Sequence, residues 1–140
     1  MCHAFGFTYK RHVSDLLPYG VYTIPEVSCV GLSEQEADRR GVDAVVGRAS
    51  FRDNVRGQIV GDRDGFTKLV FERGTRRLIG AHCIGERASE LVLVGEAIIT
   101  LGGTAETFIE MVVNHPTLGE TYKYAAYDAL GKLGPADGSA

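Results

Sequence analysis

One histidine in the last third of the chain stands at a spacing that suits acid–base chemistry. In the segment NHPTLGE, His115 is followed directly by Pro116 and, five residues on, by Glu120. Proline disfavours the helical conformation in the residue before it, so we expect an extended His115 and a helix that starts after Pro116. A carboxylate near an extended histidine could accept one ring N–H and leave the other ring nitrogen to act as an acid or a base.

A simpler structural interpretation accounts for part of the same segment. Thr117 and Glu120 match a capping box, in which the threonine hydroxyl accepts the Glu120 backbone N–H and the carboxylate accepts the Thr117 N–H. The two roles of Glu120 are compatible, because a carboxylate has two oxygens. The residues therefore leave open whether His115 is catalytic or merely precedes a helix.

The other side chains with reactive groups form no site. The three cysteines, Cys2, Cys29 and Cys83, contain no C-x-x-C pair, and the histidines beside them are too few for the roughly four ligands of a structural metal site. We expect no metal, and free thiols that are mostly buried, with Cys83 as a small core residue. His82 lies inside a predicted strand and should be packed or half-exposed.

Nucleotide-binding motifs are missing from the sequence. No G-x-G-x-x-G follows a predicted strand, and the sequence contains neither G-x-x-x-x-G-K-[ST] nor G-x-S-x-G. If the protein carries out redox or nucleotide chemistry, we expect the residues that bind the cofactor to lie outside this chain.

The composition indicates an ordinary water-soluble domain. The chain has 140 residues, of which 44% are hydrophobic and 24% charged, and its formal net charge is -3. Its arginines are interspersed with acidic residues, which argues against binding to nucleic acid or anionic lipid. No run approaches the ~18 apolar residues of a membrane span, and the N-terminus lacks the pattern of a signal peptide. We expect a cytoplasmic protein.

The first two thirds of the chain have mainly β-strand patterns. The run from Val21 to Leu32 is β-rich and is interrupted by Pro25, which suits an edge position or a strand start. A capping box formed by Ser33 and Glu36 opens a short helix. Residues 43–51 predict a strand, and a turn-rich link passes through residues 54–61. The clearest local pattern is a hairpin from about Phe66 to Ile84.

The last third changes to helical spacing. One apolar stripe predicts a helix that ends at Gly102 and Gly103. A shorter helical run covers 105–111, and a final helix after Pro116 should bury residues at helical spacing, namely Tyr122, Ala125, Ala126, Ala129, Leu130 and Leu133. We expect residues 1–20 to be irregular and 134–140 to be a disordered tail. The order of elements predicts an α+β domain with an antiparallel sheet and helices packed on one side of it.

Three ordered segments resemble a known family. YTIPEVSCVGLSEQEA, GTRRLIGAHCIGERASELVLVGEAI and NHPTLGETYKYAAYDAL resemble the C-terminal interface domain of the pyridine nucleotide-disulfide oxidoreductases. That family includes lipoamide dehydrogenase, glutathione reductase and soluble pyridine nucleotide transhydrogenase. The resemblance covers residues 16–133, and the segments LLPYGVYTIPEVS and IGERASELVLVGEAI are most similar to the soluble transhydrogenase branch.

The resemblance implies a part of a longer flavoprotein. In such enzymes the N-terminal regions hold FAD and NAD(P)H, and the C-terminal domain makes most of the homodimer interface. Residues 1–20 would be a remnant of the preceding domain, and 21–133 would be the interface domain, with no cofactor bound to this chain alone. The His–Pro segment would reach the flavin of the opposite subunit. His115 would be the acid–base residue, Glu120 its orienter, and the His115–Pro116 backbone a contact to the flavin.

Three functions remain open from the sequence. The resemblance favours transfer of hydride between NADH/NAD and NADPH/NADP, in which a proton-transferring histidine is less necessary because the flavin passes hydride between nicotinamides. A disulfide-reducing relative such as lipoamide dehydrogenase would require His115. A stand-alone protein-interaction module would meet no flavin. For the oxidoreductases, we expect one sheet face and the last two helices to form a symmetric, largely apolar dimer contact.

Overall fold

The fold is organised around the hairpin that the sequence predicts. The computed structural model describes residues 4–9 and 12–134 of the chain. The strands are β1 (Tyr19–Val21), β2 (Val27–Gly31), β3 (Ala44–Ser50), β4 (Phe66–Glu72) and β5 (Leu78–Ile84). The α-helices in these described ranges are α1 (Glu34–Arg39), α2 (Val55–Val60), α3 (Ala88–Thr100), α4 (Ala105–Glu110) and α5 (Glu120–Leu133).

The strands form a single sheet in the order β1-β2-β5-β4-β3, and every pairing is antiparallel. The central hairpin pairs Leu69 with Ala81, and Leu69 also lies opposite Gly47 of β3. Because side chains alternate along a strand, Leu69 and its neighbours at i±2 all point to the same face. The sheet register therefore decides which residues the helices cover.

That covered face forms the core. Thr67, Leu69 and Phe71 of β4 are fully buried beneath the helices. Helix α5 crosses β3 at Gly47, where an added Cβ would lie 1.9 Å from the Ala125 carbonyl oxygen, so no larger residue fits at that crossing. Aromatic rings join the helices to the sheet, with Phe108 of α4 packing edge-on against Phe71 and stacking with Tyr122 of α5.

Helix α1 lies towards the opposite face of the sheet. Its Glu34 contacts Lys68 with an Nζ–Oε2 distance of 3.5 Å, and Lys68 alternates with the core residue Leu69 along β4. Only the hydroxyl half of the capping box predicted for α1 is present: the Ser33 hydroxyl accepts the Glu36 backbone N–H at 3.1 Å, but the Glu36 carboxylate pairs with Arg39 and Arg40. The predicted α+β class, with an antiparallel sheet and the C-terminal helices on one side, is confirmed.

Two segments differ from the prediction. The β-rich run from Val21 to Leu32 contains parts of two strands, because β1 starts at Tyr19 and Pro25 lies between β1 and β2. The turn-rich link predicted for 54–61 is wrong, since it folds as helix α2. The side chain of Asn54 caps this helix by accepting the Gly57 N–H at 3.0 Å, and Gly61 ends it at a φ of 79°.

The ends of the chain fall partly outside the described residues. Residues 12–18 form no helix or strand, as expected for the irregular start, whereas the predicted boundary at residue 21 falls inside strand β1. Residues 1–3, 10, 11 and 135–140 lie outside the described ranges, so most of the predicted tail does too. Across the described ranges, every helix is too short or too polar to cross a lipid bilayer.

Candidate functional site

The connection between α4 and α5 brings together the residues that the sequence singled out. We refer to residues Asn114–Glu120 as the His-Pro loop. The His115 Nδ1 atom lies 2.9 Å from Glu120 Oε1. The His115 side chain is 64% exposed and that of Glu120 only 10%. The carboxylate is thus held within the protein, while the imidazole stands at the surface.

The second oxygen of Glu120 makes a hydrogen bond within the His-Pro loop. Glu120 Oε2 accepts the backbone N–H of Thr117 at 2.9 Å, which is the carboxylate half of the predicted capping box. The hydroxyl half is wrong, because Thr117 Oγ1 donates to the Asn114 carbonyl oxygen at 2.8 Å. The reason is that α5 begins at Glu120 with Gly119 as its N-cap, so Glu120 is not the third residue of a helix capped by Thr117.

These hydrogen bonds determine the charge on Glu120. The hydrogen bond from His115 lowers the pKa of the Glu120 carboxyl most, the Thr117 N–H lowers it further, and burial opposes both. The carboxyl is therefore ionised at neutral pH and can only accept hydrogen bonds. It follows that His115 Nδ1 carries the shared hydrogen and that Nε2, on the far side of the ring, is the nitrogen presented to solvent.

A buried polar contact anchors the start of α5 to the sheet. Thr121, the residue after Glu120, is fully buried, and its hydroxyl lies 2.8 Å from the hydroxyl of Thr67 on β4. The same Thr121 hydroxyl donates to the Leu118 carbonyl oxygen at 2.6 Å. One side chain therefore joins the His-Pro loop, the first turn of α5 and the central sheet.

Asn54 is a contributor that sequence reasoning missed. It is 2% exposed, and its Nδ2 donates to the Thr117 carbonyl oxygen across 63 residues of sequence. The interpretation of residues 54–61 as a link hid its role. The only local indication was an asparagine three residues before Gly57, a spacing that fits an N-cap but does not reveal a partner in the His-Pro loop.

An open groove of about 530 Å³ borders the His-Pro loop. Pro116, Thr117 and Leu118 form one wall of the groove. The side chains of Arg56 from α2 and Arg87 before α3 also line it. The loop thus offers an exposed imidazole and an apolar proline ring beside a groove that two arginines and two glutamates line.

The remaining reactive side chains lie away from this loop. His82 is partly buried on β5, with Nε2 3.1 Å from the Leu32 carbonyl oxygen, and burial lowers its pKa. Cys83 is buried in the core as predicted, and burial raises the pKa of its thiol. Within the residues that the structure describes, no three His, Cys, Asp or Glu side chains are grouped so as to hold a metal ion.

The sequence of this domain matches a family model over most of its length. Residues 17–126 match the dimerisation domain of the pyridine nucleotide-disulphide oxidoreductases. The chain belongs to this family. The resemblance seen in the three sequence segments is therefore confirmed.

Among the relatives of this dimerisation domain are soluble pyridine nucleotide transhydrogenases. The protein of that name from Pseudomonas savastanoi pv. phaseolicola is 44% identical over 126 residues, which cover 88% of this chain and 27% of the relative. The one from Pectobacterium carotovorum subsp. carotovorum is 43% identical over 127 residues, covering 89% of this chain and 85% of the relative. The chain thus spans 27% of the length of the Pseudomonas protein and is close to the transhydrogenase branch.

Solved structures show the same fold. LpdA from Mycobacterium tuberculosis superposes with a TM-score of 0.79 at 26% identity, covering 90% of this chain and 28% of that one. The HOCl-induced flavoprotein disulfide reductase RclA from Escherichia coli has a TM-score of 0.77 at 22% identity, covering 81% of this chain and 26% of that one. In both cases the dimerisation domain corresponds to about a quarter of the larger structure.

The matched family and its relatives are named after pyridine nucleotides, and the structural neighbour RclA is named a flavoprotein. In this dimerisation domain, His115 and Pro116 of the His-Pro loop are both exposed. The imidazole offers a polar nitrogen and the proline a flat apolar surface, and a flavin ring has both polar and apolar edges. The chemistry of these two side chains is thus compatible with a flavin held by other protein residues.

Proposed function

We propose that this chain is the dimerisation domain of an FAD-dependent oxidoreductase that transfers hydride between NADH/NAD and NADPH/NADP. The observation that carries the choice of reaction is the similarity to soluble transhydrogenases, whereas the His-Pro loop would suit any flavin-dependent oxidoreductase of the family. Glu120 holds one ring nitrogen of His115, and the other ring nitrogen is exposed. The sequence contains no nucleotide-binding motif that could place a cofactor beside it. We therefore propose that the isolated chain is catalytically inactive. The identity of 43–44% to soluble transhydrogenases supports the choice of reaction.

The proposed enzyme is a cytoplasmic homodimer in which each copy of this domain also packs against FAD- and NAD(P)-binding domains. Family membership supports the dimer, since this is the dimerisation domain of the family. Apolar side chains are available for the contact: Tyr124 and Tyr127 on α5 are about half exposed, and Val112 before the His-Pro loop is 97% exposed. Such an enzyme would serve redox homeostasis by balancing the two nicotinamide pools, with no role for nucleic acid.

The residues of this domain would act on the flavin of the opposite subunit. FAD, when bound, supplies the hydride-carrying chemistry. His115 and the backbone of His115–Pro116 would contact the flavin, and Glu120 would hold the imidazole through Nδ1 so that Nε2 stays at the surface. In this arrangement His115 can donate or accept a proton at Nε2.

Hydride transfer by the full-length protein tests the proposal. We expect the enzyme to reduce a thio-analogue of NAD with NADPH, and the 140-residue chain alone to show no such activity. His115→Gln should slow the transfer between nicotinamides by less than about tenfold, because the hydride step itself moves no proton through histidine. His82→Gln, which changes the histidine on β5, is the matched control. No transfer between the two nicotinamides in the full-length protein would contradict the proposal.

A disulfide reductase is the second candidate, and the completeness of the His115–Glu120 pair favours it. Reduction of a disulfide by a flavin releases a thiolate that a positioned acid must protonate, and an oriented histidine suits that step. In that enzyme, His115→Gln should lower disulfide reduction by about 100-fold or more. The same substitution should therefore have a small effect if the protein is a transhydrogenase and a large effect if it is a disulfide reductase.

Self-association of the chain provides an independent check on the proposed interface. Sedimentation velocity of the 140-residue chain should show a dimer at high protein concentration. Tyr127→Glu should weaken it by placing a charge on the exposed side of α5, whereas Glu90→Gln on α3 should not. A chain that stays monomeric at all concentrations would contradict an interface that is sufficient by itself.

A further inference from the structure

Asn54 makes two different hydrogen bonds with the two ends of one amide. Its Oδ1 accepts the Gly57 N–H at 3.0 Å and so caps helix α2. Its Nδ2 donates to the Thr117 carbonyl oxygen at 3.1 Å. The side chain is 2% exposed, so water cannot readily replace either partner.

The second bond leads directly to the reactive pair. Thr117 has its carbonyl held by Asn54, and its N–H donates to Glu120 Oε2 at 2.9 Å. The other oxygen of Glu120 accepts from His115 Nδ1 at 2.9 Å. A shift of the Thr117 peptide would therefore move the carboxylate that holds the His115 ring. The pKa of the Glu120 carboxyl, lowered chiefly by His115 and Thr117, is lowered further by the Asn54 amide.

Capping of α2 does not by itself require asparagine. Serine and aspartate are equally good N-caps, because each offers an oxygen to the backbone N–H. Neither offers what Asn54 gives the loop: aspartate would set a carboxylate against the Thr117 carbonyl oxygen, and serine is too short to reach both partners. The bond to the His-Pro loop needs a donor and an acceptor on one buried side chain.

We propose that Asn54 is a positioning residue for the His115–Glu120 pair, acting through the Thr117 peptide. The Asn54 amide contacts the Thr117 peptide and lies beside the Glu120 carboxyl, and it acts by holding the loop in which the pair forms. Its importance for catalysis rests on the function proposed above, whereas its effect on the His115 ring does not. An experiment can therefore refute the importance of Asn54 for catalysis without refuting its effect on the His115 ring.

The tautomer of the His115 ring is the decisive measurement. In the 140-residue chain, ¹⁵N spectra of the imidazole at neutral pH should show mainly the Nδ1–H form in the native protein. Asn54→Ser and Asn54→Asp both keep an N-cap for α2, and each should lower the ratio of Nδ1–H to Nε2–H by about fivefold, the equivalent of one lost buried hydrogen bond. The Gly57 amide should stay protected from exchange in both variants.

Gln58→Ser is the matched control. Gln58 is an exposed amide on the same helix, and its Nε2 donates to the Arg52 carbonyl oxygen at 3.0 Å, away from the His-Pro loop. This variant should leave the His115 tautomer ratio unchanged. The proposal is overturned if Asn54→Ser and Asn54→Asp both retain the native ratio, or if Gln58→Ser changes it as much as they do.

Assays of the full-length enzyme distinguish an effect of Asn54 on the position of His115 from an effect on catalysis. If His115 takes part in the reaction, Asn54→Ser should lower the rate, and the double variant with His115→Gln should lose no more than His115→Gln alone. If His115→Gln has no effect on transhydrogenation or on disulfide reduction, the catalytic role of His115 fails. The tautomer measurement would in that case still decide whether Asn54 positions the ring.

Discussion

His115 and His82 each make a hydrogen bond through one ring nitrogen, but the two acceptors differ in charge. His115 Nδ1 meets the ionised Glu120 carboxylate at 2.9 Å, and His82 Nε2 lies 3.1 Å from the uncharged Leu32 carbonyl. The first ring is 64% exposed, and the second is packed on the sheet, where burial lowers its pKa. A carboxylate that holds Nδ1 of an exposed ring leaves Nε2 free to meet a partner at the surface. A backbone carbonyl beside a packed ring serves the fold.

The two histidines also differ in how far their support extends. His82 is held by the register of adjacent strands, where it lies opposite Cys29 and Lys68. His115 depends on a series of polar contacts that runs from the His-Pro loop to α2 and, through Thr121, to β4. A substitution in the core, far from His115, should therefore disturb the position of its ring. The ring of His82 should respond less, even to a change nearby.

The largest effect is expected from removing the carboxylate behind His115. Glu120→Ala should lower the free energy of unfolding of the chain by about 2 kcal/mol, because two hydrogen bonds to a largely buried carboxylate are lost. Urea unfolding at pH 7 measures this change in the free energy of unfolding. Glu90→Ala, at a side chain 75% exposed on α3, should change the free energy of unfolding by less than about 0.5 kcal/mol. Equal effects of the two variants would show that Glu120 is no better supported than a surface carboxylate.

A smaller effect is expected from cutting the contact between α5 and the sheet. Thr121→Val removes the 2.8 Å contact with Thr67 and should lower the free energy of unfolding by about 1 kcal/mol. Thr67→Val should cost a similar amount, and the double variant less than the sum of the two, because both partners are then apolar. In NMR spectra, Thr121→Val should shift the ring signals of His115 and leave those of His82 in place. The reverse pattern would refute the view that α5 transmits the disturbance to the His-Pro loop.

The smallest effect is a difference in pH dependence. The pKa of His82 is lowered from 6.5, so the unfolded chain binds a proton more readily and stability falls as the pH drops below about 6.5. The pKa of Glu120 is lowered from 4.5, so its contribution is present above about pH 4.5 and is lost only below that value. His82→Gln should therefore flatten the stability profile just below pH 6.5, and Glu120→Gln should alter it only below pH 4.5. Unfolding curves measured across both ranges would contradict this if the two variants changed the same range.

Much of the fold follows from local patterns. The alternation of side chains predicts the hairpin of β4 and β5, and an apolar stripe predicts α3, because these regularities arise within a few residues and match the core that is found. The pairing of His115 with Glu120 is likewise local, since five residues of loop bring them together. Helix α2 was missed because Gly57 and Gly61 resemble a link, although Gly61 in fact ends the helix.

The amino-acid sequence alone is enough to predict the family, the α+β class, the hairpin, the long helices and the proximity of His115 to Glu120. Those features depend on short-range periodicity and on residues close together in the chain. Three features became visible in the folded domain alone: α5 begins at Glu120, the Thr117 hydroxyl donates to the Asn114 carbonyl oxygen, and Asn54 reaches the His-Pro loop. Each of these choices lies between local alternatives of similar energy, and contacts between residues far apart in sequence select one of them.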